Sequence, residues 1–150
     1  MRESDMNKRS NVLVVDDEEV IRRGYARTLT GADCDVATAW NGVEALDALE
    51  HRPYDVVLLD LRMPEMDGMT VLRKIKEKWP DSEVVIITGY PSIETAKEAV
   101  RLGACDYLAK PVGPDEVIHA THGALKRKQW ALRPEHGTSR FESRAHTSPS

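Results

Sequence analysis

The sequence predicts an α/β domain: a doubly wound parallel sheet of five strands with five helices covering both faces. Three observations point there. Five short apolar runs alternate with stretches of helical period. The clearest runs are continuously apolar rather than alternating, as in strands buried on both sides. Finally, chemically active residues close four of the runs: Asp16-Asp17, Asp60, Thr88 and Lys110. In an open parallel sheet the carboxyl ends of the strands face one crevice, and ligands bind there.

The first run is Asn11–Val15, closed by Asp16 and Asp17. From Glu18 to Leu29, apolar Ile21, Tyr25 and Leu29 recur at helical spacing behind an acidic start that suits a helix N-terminus, and Gly31 ends the helix. Cys34–Thr38 is a weaker second strand. Asn41-Gly42 turns the chain into a second helix lined by Ala45, Leu46 and Leu49. The third strand, Val56–Leu59, ends on Asp60. After Met63-Pro64, a stripe of Val71, Leu72, Ile75 and Trp79 marks a third helix that stops before Pro80. The fourth strand, Val84–Ile87, ends on Thr88. Gly89 and Pro91 punctuate a loop, then Ile93, Ala96 and Val100 line a fourth helix that ends at Gly103. Both of these stripes read as core packing. Cys105–Ala109 is the fifth strand, followed by Lys110-Pro111. The last helix starts near Pro114, a residue suited to a first turn, and carries Val117, Ile118, Thr121, Ala124 and Leu125 on one face.

A chain of 150 residues suits one domain with a real core. The pattern occupies residues 11–130, between a polar, flexible N-terminus at 1–10 and a tail or linker at 131–150. That tail is rich in Ser, Thr, Pro, Arg and His and cannot bury enough apolar area to offset the entropy of ordering it. One Phe in the whole chain means an aliphatic core. The net charge of −4, with no basic block, argues against direct nucleic-acid binding. No stretch approaches the roughly 20 apolar residues of a membrane span, and no signal-like segment opens the chain, so a cytoplasmic protein is expected. Cys34 and Cys105 offer neither a disulfide framework nor metal-ligand spacing, and reduced, partly buried thiols are expected. His119 and His122 sit one helical turn apart without a third ligand, which describes a solvated helix face.

Each strand-end residue alone is unspecific. Asp16-Asp17, followed by Glu18-Glu19, would serve equally as an acidic helix start; polar residues often end strands; a Lys before Pro is by default a loop residue. Their joint placement at four strand ends is what carries information. Clustered carboxylates raise one another's pKa unless a cation neutralises them. Mg²⁺ takes oxygen ligands and keeps several waters, so two or three carboxylates complement it. A carboxylate beside such an ion can attack phosphorus, with metal and ammonium balancing the charge on the phosphoryl oxygens.

Four motifs carry a family resemblance: Val-Val-Asp-Asp-Glu at 14–18, Leu-Leu-Asp-Leu-Arg-Met-Pro-Glu-Met-Asp-Gly at 58–68, Ile-Ile-Thr-Gly-Tyr at 86–90 and Asp-Tyr-Leu-Ala-Lys-Pro at 106–111. In order and spacing they resemble the receiver domain of bacterial two-component response regulators, over about residues 10–130. The resemblance implies a flavodoxin-like sheet of strand order 2-1-3-4-5. It implies that Asp60 is the phosphoryl acceptor, that Asp16 and Asp17 hold Mg²⁺, and that the backbone carbonyl of Arg62 completes the metal shell. Thr88 and Lys110 match the hydroxyl and ammonium that meet the phosphoryl group, Tyr107 matches the aromatic that changes rotamer, and the Lys110–Pro111 bond is expected to be cis. The implied partners are a sensor histidine kinase or phosphotransfer protein and a downstream protein target, with a weak or phosphorylation-dependent homodimer as a further option. Thr88 to Lys110 looks most like the receivers of enhancer-binding activators.

Two departures stand out. Receivers that dimerise through paired charges usually carry a basic residue where this chain has Ala120. The tail has neither a helix-turn-helix pattern nor a phosphate-binding Gly-Lys loop, so the expectation is a single-domain receiver or the front of a larger regulator. Two other functions compete. A phosphohydrolase with an aspartate nucleophile would share the Mg²⁺ and Lys logic, but such enzymes place a second acid where Arg62 stands. A flavodoxin-like cofactor binder needs a phosphate loop after the first strand, where Asp16-Asp17-Glu18-Glu19 would repel phosphate.

Overall fold

A computed structural model of the protein describes residues 9–132. The terminal segments expected at 1–10 and 131–150 lie outside the described residues, apart from Arg9, Ser10 and the end of the last helix. The elements are β1 (Ser10–Val15), α1 (Glu19–Thr30), β2 (Cys34–Ala39), α2 (Gly42–His51), β3 (Val56–Leu59), α3 (Gly68–Lys78), β4 (Glu83–Thr88), α4 (Ile93–Arg101), β5 (Asp106–Ala109) and α5 (Pro114–Leu132). All neighbouring strands run parallel, in the order β2-β1-β3-β4-β5. The chain therefore moves outward from β1 to β2, then returns past β1 to continue as β3. That reversal opens a crevice between the carboxyl ends of β1 and β3.

Alternate residues of each strand divide between two cores. Leu13, Val15, Val57, Leu59, Val84 and Ile86 meet Ala45 and Leu49 of α2, Val71, Leu72 and Ile75 of α3 and Ala99 of α4. On the other face, Val12, Val14, Val56, Leu58, Val85 and Ile87 meet Leu29 of α1 and Val117, Ala120 and Ala124 of α5. Ala120, where a basic residue was of interest, thus lies in the core at 5% exposure. Capping is local and legible. The Asn41 side chain accepts the amide of Glu44, Asp67 accepts those of Met69 and Thr70, and Ser92 accepts that of Thr95. The sheet places Cys34 and Cys105 at opposite edges, and both are free thiols. Cys105 itself just precedes β5; burial, chiefly, pushes its pKa up to about 11, so the thiol stays protonated and unreactive.

The fourth helix corrects the sequence reading. Its stripe of Ile93, Ala96 and Val100 was expected in the core, yet Ile93 is 75% exposed and Val100 68% exposed. The edge that meets the sheet is instead Thr95, Ala99 and Leu102, of which Ala99 is fully buried. The reason lies across the interface. β5 is an edge strand whose own residues are exposed or half-buried, and α4 sets only the small Ala99 fully into the core beside it, with Ile93 and Val100 turned outward.

Candidate functional site

The strand ladder continues one residue past β1 and β3, through Asp16 N–H to Ala39 O (3.1 Å) and Asp60 N–H to Val15 O (3.0 Å). These bonds hold the two acids at the mouth of the crevice. Asp16 and Asp60 are almost fully buried, at 2% and 5% exposure, while Asp17 is exposed. The three residues bring carboxylate oxygens within 4.8 Å of one another. Behind Asp60, the N-terminus of α3 presses close because residue 68 is Gly: a Cβ there would lie 2.5 Å from the Asp60 carbonyl oxygen and from Leu61 Cα.

From the far side of the sheet, Lys110 reaches in. Its Nζ donates to Asp16 Oδ2 at 2.8 Å and lies 3.6 Å from Asp60 Oδ2 and from Glu18 Oε1. The Lys110–Pro111 bond is cis. Asp16 also accepts the amide of Glu18 on Oδ1, and its carbonyl accepts from the Arg22 guanidinium, so its orientation is set from two directions. The Arg62 amide donates to Asp60 Oδ1 at 3.3 Å. A cavity of about 330 Å³ opens over this group, lined by Asp17, Glu18, Asp60, Arg62, Tyr90 and Lys110, among others.

The charges do not balance. Burial first, and then the charge of Asp16, push the Asp60 carboxyl up to about 6, against the opposing pull of Lys110 and the Arg62 amide. Burial also works against the Lys110 ammonium, but its hydrogen bond to Asp16 and the charges of Asp16, Asp60 and Glu18 outweigh that, and its pKa is raised. One ammonium thus faces three aspartates and a glutamate. An all-oxygen, over-acidic set of this kind fits a hard divalent cation.

The residues singled out from sequence fall into two groups. Asp16, Asp17, Asp60 and Lys110 converge. Thr88 is fully buried beside them in the ladder, where its carbonyl accepts the Lys110 amide at 2.8 Å and its hydroxyl accepts the Tyr90 amide at 3.0 Å. Tyr107 lies off the site, with its hydroxyl 2.6 Å from Thr95 Oγ1 and 3.2 Å from the Ser92 amide, tying β5 to the first turn of α4. Three participants were missed. The sequence pattern marks Glu18 only as a helix start, and Tyr90 and Gly68 only as the last residues of the motifs at 86–90 and 58–68. The acidic run could have flagged Glu18; nothing local distinguishes Tyr90, whose ring is met by Arg62 from another loop.

This fold and sequence pattern recur in known proteins. The model of the response regulator receiver domain matches residues 12–122. The DNA-binding transcriptional regulator NtrC of Escherichia coli (strain K12) is 39% identical over 127 residues, which cover 85% of this chain and 27% of that protein. Among solved structures, the receiver domain of NtrX from Brucella abortus superposes with a TM-score of 0.73 at 38% identity, covering 77% of this chain and 98% of that one. A CheY-like receiver domain protein from Methanospirillum hungatei JF-1 gives a TM-score of 0.79 at 26% identity, covering 81% and 98%. The chain spans about a quarter of the length of NtrC, the share that matches here. Sequence, topology and the cluster of acids at the switch point agree, and the chain belongs to the response regulator receiver domain family of two-component systems.

Proposed function

We propose that Asp60 accepts a phosphoryl group from the histidine of a partner kinase or phosphotransfer protein, and that the modified state is read by another protein. The observation that carries this reading is the electrostatic excess at Asp60: a buried carboxylate with its pKa pushed up to about 6, one of three clustered acids, under a single lysine. Asp16, Asp17 and Asp60, with the backbone carbonyl of Arg62, would hold Mg²⁺, whose charge would offset that on the phosphoryl oxygens.

An oxygen of Asp60 attacks phosphorus while the bond to the donor histidine nitrogen breaks, and the imidazole leaves with the bonding pair. Asp16 orients Lys110 through the 2.8 Å hydrogen bond, and the ammonium stands ready for a phosphoryl oxygen beside Asp60. The added dianion recruits the Thr88 hydroxyl away from the Tyr90 amide. The loop into α4 is thereby released, and the Tyr107 ring moves into the space that Thr88 leaves. The domain catalyses only its own gain and loss of phosphate. A cytoplasmic setting and protein partners, rather than nucleic acid, suit its acidic charge; no helix among the described residues is long and apolar enough to cross a membrane. The hydrolase alternative loses ground because Arg62, in place of a second acid, lies over the Tyr90 ring.

Acetyl phosphate with Mg²⁺ is expected to add one phosphoryl group by intact mass. Asp60→Asn abolishes the addition. Undiminished labelling in EDTA, or labelling of the Asn variant, sinks the reading.

A further inference from the structure

The peptide unit that joins Asp16 to Asp17 aims two of the three clustered acids, because such a unit is planar and turns as one piece. Its carbonyl accepts the Arg22 guanidinium at 2.9 Å. Asp16 is otherwise held by its own amide on Ala39 O, by the Glu18 amide on Oδ1 and by Lys110 Nζ on Oδ2. Asp17 is exposed, and its side chain makes no hydrogen bond or ion pair among the described residues, so the main chain alone directs it toward the cluster. Arg22 stands in the first turns of α1 and is half-buried. Glu18 and Glu19 lie within one turn of it, yet Glu18 faces Lys110 and Glu19 pairs with Arg23. Among the described residues Arg22 forms no ion pair. A guanidinium ordinarily offers its fork to a carboxylate; this one is spent on a neutral carbonyl, clear of every carboxylate oxygen in the cluster.

We propose that Arg22 is a positioning residue for the cation: by holding the Asp16–Asp17 peptide it keeps both carboxylates turned toward Asp60, where one Mg²⁺ can take oxygens from all three. The inference rests on the reading of these acids as a Mg²⁺ site. Two pulls meet at Asp16. Lys110 draws its carboxylate from the β5 side, and Arg22 fixes its main chain from the α1 side. With the second pull gone, the Lys110 ion pair is free to carry Asp16 away from its neighbours, and Asp17 turns with it. The sign of the effect separates this role from a bystander charge. A guanidinium that acted only as a nearby positive charge would repel Mg²⁺, so its removal would tighten binding. A guanidinium that aims the ligands does the opposite, and its removal loosens binding.

The test is a Mg²⁺ titration of the full chain, followed by calorimetry and by the amide shifts of Asp17 and Asp60. Arg22→Met keeps the stem and loses the donors; it is expected to bind Mg²⁺ about tenfold more weakly, the lower end of what a ligand's lost hydrogen-bond partner costs. Arg22→Lys, which keeps a donor and the charge, stays within about threefold of wild type. Arg23→Ala removes a charge of the same sign from the next position of α1, where it pairs with Glu19 outside the site, and leaves the affinity unchanged. Labelling by acetyl phosphate separates misplacement from damage. The Arg22→Met chain labels slowly at low Mg²⁺ and reaches the wild-type rate once Mg²⁺ saturates. Mg²⁺ held by Arg22→Met as tightly as by wild type or more so, an Arg22→Lys chain as weak as Arg22→Met, an equal loss in Arg23→Ala, or labelling still slow at saturation overturns the assignment. A wild type that binds no Mg²⁺ sinks the metal reading and the role of Arg22 with it. A wild type that binds Mg²⁺ beside indifferent Arg22 variants sinks that role alone.

Discussion

Helices α3 and α4 carry similar apolar stripes in sequence and are held very differently. α3 buries Val71, Leu72 and Ile75 completely, starts on a doubly used Asp67 cap, and abuts the Asp60 backbone through Gly68. α4 has nine residues, sets only Ala99 fully into the core, and leaves Ile93 and Val100 in solvent. Its first turn is tied by hydroxyls, Ser92 to the Thr95 amide and Thr95 to Tyr107. The frame of the site is thus built on the tightly packed helix, and the element facing outward is the loosely packed one. Local stability that varies in this way is what a movable element requires.

The contrast has measurable consequences. The largest is Ile75→Ala, which removes a fully buried side chain from α3 and is expected to cost about 2–5 kcal/mol by urea unfolding. A loss below about 1 kcal/mol would remove the distinction between the helices.

Next comes the pH dependence of the frame. Asp60 in the folded protein titrates near 6, above the ordinary value of 3.8 expected once unfolded. Between these values the folded state holds a proton that the unfolded state has released. Stability from this group is therefore fully present below about pH 4 and is lost as the pH rises through 6. In EDTA, the wild type is expected to lose on the order of 1–3 kcal/mol relative to Asp60→Asn over that window. Parallel profiles for the two proteins would mean that the buried carboxyl carries no such penalty.

Smaller still is the hydroxyl tie. Tyr107→Phe leaves the Thr95 hydroxyl and the Ser92 amide without that partner, and about 0.5–1.5 kcal/mol is the expected cost. Amide exchange should quicken at residues 92–96 and stay unchanged in α3; equal acceleration in both helices breaks the comparison.

The least effect is expected at the exposed stripe. Ile93→Ala and Val100→Ala should each change stability by no more than about 0.5 kcal/mol. A core-sized loss at either would mean that the stripe faces the sheet after all.

Much of the molecule was legible because its information is local. An apolar run of four or five residues followed by an acid, a hydroxyl or a lysine marks both the strand and the end at which chemistry sits. Once the strands are parallel, those ends must share one side of the sheet. The turn at Asn41-Gly42 is equally local, while the caps Asp67 and Ser92, though also within a few residues of the amides they accept, emerge only in the structure. The length of β4 was read short at both ends, since Glu83 and Thr88 join the ladder through partners on β3 and β5 rather than through any apolar signal of their own.

By itself, then, the sequence determined the alternation of elements, the two-sided burial of the central strands and the assembly of Asp16, Asp17, Asp60 and Lys110 at one edge. Only the tertiary structure decided which edge of α4 meets the sheet, how far burial raises the Asp60 pKa, and that Arg62 would find Tyr90. Periodicity shows that a helix has two faces, but what lies opposite chooses between them. A pKa depends on charges brought together across the chain, such as Lys110 on Asp16, 94 positions apart. A contact between two loops has no period at all, because its geometry is set by the strands that carry them.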